Sequence, residues 1–134
     1  MTQTAENRFL LDTHTLLWWF AEPDRLSKAA HAAIANTSNQ VFVSAASTWE
    51  IATKVRLGKL TIANHLLDDF TEVLGNQGFE PLTIQFNHGL RAGRYEQAHR
   101  DPFDRLLAAQ AELEHLILVS IDPALNDFPC KVLW

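Results

Sequence analysis

Apolar positions along this chain follow two rhythms. Short runs in which nearly every residue is apolar or β-branched recur as "RFLL", "QVFVSA", "FEPLTI" and "LILVSID". Runs of this length, bounded by polar or turn residues, predict strands buried on both faces. Between them lie longer segments whose apolar residues repeat every three to four positions, the helical period. "THTLLWWFAE" follows the first strand as a helix. "PDRLSKAAHAAIANTS" is Ala-rich, with Ser27 as its N-cap. "SAASTWEIATKVRLGKL" predicts a helix ending near Gly58, and "ANHLLDDFTEVLGNQG" a single amphipathic helix stopped by a Gly-rich turn. "FNHGLRAGRYEQA" is helical, weakened by Gly89 and Gly93. "DPFDRLLAAQAELEH" carries the strongest helix signal, with Asp101 as cap, Pro102 at N1 and a continuous apolar stripe. "CKVLW" predicts a last edge strand.

Strands that are apolar on both faces and alternate with helices predict an α/β fold, a mainly parallel sheet covered on both sides. In such sheets ligands bind beyond the carboxyl ends of the strands. Two acids are placed there by the pattern. Asp12 closes the first strand and Asp122 closes "LILVSI". Two more stand out: Glu50 in an otherwise small and apolar helical stretch, and Asp104 at the start of the "DPFDR" helix, with Asp101 nearby.

Composition narrows what this edge can do. The 134 residues suit one domain, residues 1–134, and 47% apolar against 20% charged residues is an ordinary globular profile. No apolar run is long enough to span a bilayer, and "MTQTAENR" has neither a basic n-region nor an apolar h-region. Cys130 is the one cysteine, so no internal disulfide forms. A cytoplasmic protein is expected. A net charge of −5 argues against general affinity for nucleic acid, unless the acids are concentrated in a metal site.

Clustered carboxylates repel, and without a cation at least one is pushed towards protonation. An all-oxygen donor set is what Mg²⁺ or Mn²⁺ prefers. Asp12, Glu50, Asp104 and Asp122 are therefore the candidate catalytic and metal-binding residues, with Asp101 as a further metal candidate. Plainer roles compete: Asp12 and Asp101 as helix caps, Asp122 in a turn before Pro123, and Glu50 paired with Lys54 at i,i+4. The histidines lack zinc spacing, His14 is read as structural, and Cys130 as a small buried apolar residue. Trp18, Trp19, Phe20 and Trp49 are expected in the core, with an apolar groove wall as the alternative. Two basic stretches, "TKVRLGK" and "RAGRYEQAHRDPFDR", flank Glu50 and Asp104. From them Lys54, Arg94 and Arg100 are expected to contact the backbone phosphates of a bound strand.

The stretches "FLLDTHTLLWWF", "VSAASTWEIATKVRLGKL", "RDPFDRLLAAQA" and "LILVSIDPAL" resemble, in order, the four acidic motifs of PIN-domain ribonucleases of the VapC toxin type. Together they span residues 9–125. The resemblance implies a three-layer α/β/α domain around a central parallel sheet, and Mg²⁺- or Mn²⁺-dependent cleavage of RNA phosphodiesters. It implies that Asp12, Glu50 and Asp104 are the core metal acids, Asp122 the more variable fourth, and Asp101 an extra acid of the "DPFDR" branch; Ser120 matches a position often Ser or Thr. It also implies a homodimer and a cognate antitoxin protein as partner. A haloacid-dehalogenase-like phosphatase is a weaker reading, because His14 stands where that family carries its second acid. A receiver-like signalling domain lacks its phosphorylated Asp and its Lys here. A catalytically silent PIN-like binding domain is opposed by the intact acids.

Overall fold

The computed structural model describes residues 7–61 and 64–134. Five strands form one sheet: β1 Arg8–Leu11, β2 Gln40–Ser44, β3 Glu80–Leu82, β4 Ile117–Val119 and β5 Val132–Leu133. Their order is β3-β2-β1-β4-β5 and every pairing is parallel. β1 lies at the centre, with Leu10 paired to Phe42 on one side and to Leu118 on the other.

Alternation along the strands builds the two cores. Phe9, Leu11, Val41, Val43 and Val119 face one side, where Leu16, Ile34, Ile51 and Leu74 cover them. Those residues belong to α1 Thr13–Ala21, α2 Lys28–Ala35, α3 Ala45–Arg56 and α5 Phe70–Asn76. Leu10 and Leu118 face the other side, against Leu107, Ala108 and Ala111 of α7 Pro102–Glu114. Helix α6, Phe86–Arg94, packs on α7. The result is the expected three-layer α/β/α arrangement. Leu10 and Leu11 are both fully buried although adjacent, as only a strand covered on both faces allows.

Local signals place most boundaries. Asp12, Ser27 and Asp101 cap α1, α2 and α7 through side-chain oxygens, and Gly58 takes a φ of +74° just beyond α3. The expected continuous helix over "ANHLLDDFTEVLGNQG" is instead two: α4 Asn64–Asp68 and α5, separated at Asp69 with φ −110° and ψ 30°. Asp disfavours helix interiors because its short side chain competes for backbone groups. β4 ends at Val119, so Asp122 does not close the strand but caps a short 3₁₀ helix, Pro123–Asp127. Among the described residues no helix is long and apolar enough to cross a membrane.

Candidate active site at the carboxyl edge of the sheet

The carboxyl ends of β1, β2 and β4 converge because the three strands are parallel neighbours. Asp12 follows β1 directly; its N–H donates to the carbonyl of Val119 at 3.1 Å. Its carboxylate is buried and accepts from Thr15 N at 2.8 Å. Thr15 in turn donates its hydroxyl to the Val119 carbonyl at 2.9 Å, tying the start of α1 to the end of β4.

Glu50, on α3, is also buried, and both its oxygens are engaged. The Thr13 hydroxyl donates to Oε1 at 2.6 Å, and Lys54 Nζ donates to Oε2 at 2.8 Å. The i,i+4 pairing expected from sequence is therefore present, and it supplies the opposite charge that a buried carboxylate requires. Thr13, which also lies 3.1 Å from Ser47 Oγ, connects Glu50 to the residue after Asp12.

The other half of the site is built on α7. Asp101 caps the helix through Oδ1, accepting from Phe103 N and Asp104 N. Asp104 Oδ2 lies 2.8 Å from His99 Nε2. Ligand atoms of His99, Asp104 and Asp122 all fall within 4.8 Å of one another. Asp122 is held by its own N–H to Ser120 Oγ at 3.1 Å and by the bond its Oδ1 accepts from Ala124 N. Burial pushes the Asp104 carboxyl up to about 6; the hydrogen bond to His99 opposes this, and the charges of Asp101 and Glu50 add to it. Those couplings place Asp101 and Glu50 within electrostatic reach of Asp104.

His99 is the residue that the sequence did not single out. A lone His with no partner spacing carries no signal. Its place is fixed by a side chain in the first turn of α7. Arg105 donates to the carbonyls of Ala92, Tyr95, Gln97 and His99 at 2.6–2.9 Å, gathering the α6–α7 loop around one guanidinium. Arg105 is thus a structural clamp, unlike the exposed Arg94 and Arg100.

The donor set suits a hard divalent cation. It consists of the half-buried carboxylates of Asp104 and Asp122, the first with its acidity already suppressed, and the imidazole of His99 in the same group. His14 is exposed and stands apart, its ring 5.8 Å from Trp18. It borders a groove of about 740 Å³ lined by Leu17, Trp18, Phe20, Leu60, Leu66 and Val73, with Arg25, Lys54 and Lys59 among its polar residues. Trp18, Trp19 and Phe20 are half-buried and pack against the core, as expected, while Trp18 and Phe20 also serve the groove. Trp49 departs from expectation and is 62% exposed. Cys130 is half-buried, and burial pushes its thiol up to about 11.

The PIN domain family profile matches residues 9–129, a span that contains every acid described above. The chain belongs to the PIN-domain family. Within that family it is 33% identical over 109 residues to Ribonuclease VapC22 of Mycobacterium tuberculosis, covering 79% of each protein. A similar fold occurs in VapBC2 of Rickettsia felis, solved with a promoter DNA fragment, at a TM-score of 0.69 and 14% identity over 95% of this chain and 98% of that one. DNA-bound VapBC of Salmonella typhimurium matches at 0.69 and 18% identity, over 95% and 97%. At those identities the likeness is one of PIN fold.

Proposed function

We propose that this protein is a Mg²⁺- or Mn²⁺-dependent endoribonuclease and the toxin of a toxin–antitoxin pair. The observation that carries the reading is the state of Asp104. It is a carboxyl held beside Asp122 and His99, raised by burial and by two neighbouring acids, in a chain of the PIN family. A relative named as a ribonuclease supports the reaction class. Asp12, Glu50, Asp104 and Asp122 would hold the ion, with Asp101 at its margin. When bound, the ion supplies a hydroxide nucleophile near neutral pH and charge to offset the phosphate in transit.

The chain's own residues do the rest. Thr13 and Lys54 hold both oxygens of Glu50 in place inside the protein. His99 holds Asp104 in one rotamer, and Arg105 holds His99. Ser120 fixes the backbone of Asp122. Arg94 and Arg100, both exposed, and Lys54 beside Glu50 are assigned to phosphates flanking the scissile one. Such contacts position the strand without reading its sequence.

The groove beside α1 is assigned to a segment of the cognate antitoxin, its apolar wall and cationic residues accepting an amphipathic acid-bearing stretch. A homodimer is assigned to the exposed Phe86 and Leu90, one turn apart on α6. A cytoplasmic location follows from a role on cellular RNA beside an antitoxin. The test is a cleavage map on total RNA with and without Mn²⁺. Wild-type protein should cut at discrete sites only with metal, and Asp12→Asn should not cut. Cleavage in excess EDTA, or by Asp12→Asn at the wild-type rate, would refute the reading.

A further inference from the structure

Trp49 immediately precedes Glu50, and Phe103 immediately precedes Asp104. Their rings meet edge to face, centroids 5.0 Å apart at 78°. Helices α3 and α7 also touch, so the pair bridges the two helices that carry these acids. Phe103 is half-buried, while Trp49 is 62% exposed and so leaves most of an indole in solvent at the lip of the site. A large aromatic gains most by burial, and this one is left largely uncovered.

Three cations near the site are committed to other groups, which leaves Arg94 and Arg100 as the exposed ones. Lys54 pairs with Glu50, Arg91 with Glu112, and Arg105 is spent on four carbonyls. With a net charge of −5, phosphate attraction alone gives this protein a weak hold on a strand. Base stacking is the alternative source of affinity, since every base has a π-face. The ring pair is the wrong size for a self-interface. Each ring can bury about 150–250 Å², well short of the roughly 800 Å² per partner of a stable interface, yet one indole face matches one nucleobase.

Resting on the ribonuclease reading, we propose that Trp49, braced by Phe103, is a stacking platform for a nucleobase flanking the scissile phosphate. It adds a ring contact to the phosphate contacts that position the strand. The preferred occupant is a purine, which offers the larger stacking surface.

The experiment measures binding of short single-stranded oligoribonucleotides to the full chain in an inactive Asp12→Asn background. A fluorescent purine analogue is walked through successive positions. Trp49→Ala should weaken binding about tenfold, by the same factor at low and high salt, and should abolish quenching of the analogue at one position. Trp49→Phe should retain most of both; Trp49→Leu, apolar but without a π-face, should restore neither. Far-UV dichroism confirms that each variant is folded. Unchanged affinity and quenching in Trp49→Ala, with wild-type protein still cutting RNA, would overturn the platform and leave the nuclease standing. Wild-type protein that neither binds nor cuts RNA would overturn both. If Trp49→Ala instead turns a dimer into a monomer by sedimentation, and Trp49→Leu restores the dimer, the ring is a self-contact and the proposal is wrong.

Discussion

Glu50 and Asp104 lie on neighbouring helices at the same sheet edge, yet the protein treats their charges in opposite ways. Glu50 is buried and fully answered: a hydroxyl on one oxygen and an ammonium on the other. Asp104 has an imidazole on one oxygen, two acids within reach and a carboxyl raised to about 6. One half of the site is balanced by the protein itself. The other half is left with a deficit of positive charge. The cation of the proposed function would answer that deficit on the α7 side.

The largest effect that can break this comparison is on catalysis. If the metal is held jointly, Asp104→Asn and Glu50→Gln should each lower the cleavage rate on the order of 10³-fold or more, measured in single turnover with excess Mn²⁺. A small loss for one and a large loss for the other would divide the site between a metal-holding half and a supporting half.

Next in size is Arg105, which serves only the α7 half. Arg105→Ala leaves four carbonyls without their donor and should destabilise the fold by about 3 kcal/mol in urea denaturation. Amide exchange should quicken across residues 95–100, the loop that carries His99. Unchanged protection there would mean that His99 is positioned by its packing on Phe128 instead.

The comparison is sharpest in metal-free melting, where the two acids should show opposite signs. The ordinary value for Asp is 3.8 and Asp104 stands at about 6. The native state thus holds more protons than the unfolded state between those values, so this group's contribution to stability falls as pH rises through the window. Near neutral pH, in EDTA, Asp104→Asn should be more stable than wild type by about 1–2 kcal/mol, and the gain should vanish below about pH 4. Glu50→Gln, which breaks a satisfied pair, should lose about 1 kcal/mol under the same conditions. Saturating Mn²⁺ should erase the advantage of Asp104→Asn, because wild type alone gains full binding energy. Equal signs for the two variants would refute the division of labour.

The smallest effect is on salt dependence. Replacing Arg94 and Arg100 with Ala should each flatten the salt slope of RNA binding by about one unit. Lys54→Ala should change it less, because that ammonium already answers Glu50. An equal change for all three would show that Lys54 leaves its partner when RNA binds.

Much of this was legible in the chain itself. The apolar runs fixed the parallel sheet, because a strand covered on both faces has no room for alternation. Asp12, Ser27 and Asp101 announced helix starts through local capping chemistry, and the pair Glu50–Lys54 follows from helical spacing. These are short-range rules, in which the interacting groups are within a few residues of each other. The positions of Asp12 and Asp122 at one edge follow once the strands are parallel.

Tertiary structure decided the rest. Nothing local separates Arg105 from Arg94 or Arg100, and only the folded α6–α7 loop shows that one guanidinium gathers four carbonyls while the others face solvent. His99 has no motif, and its contact with Asp104 depends on that loop being closed. Trp49 has the composition of a core residue, yet it is exposed because its face of α3 meets only the edge of Phe103. Local sequence specifies dihedrals, caps and which face is apolar. The charge left unanswered at Asp104, and the ring left uncovered beside it, arise only when distant helices meet, because burial and electrostatic coupling are properties of the assembled pocket.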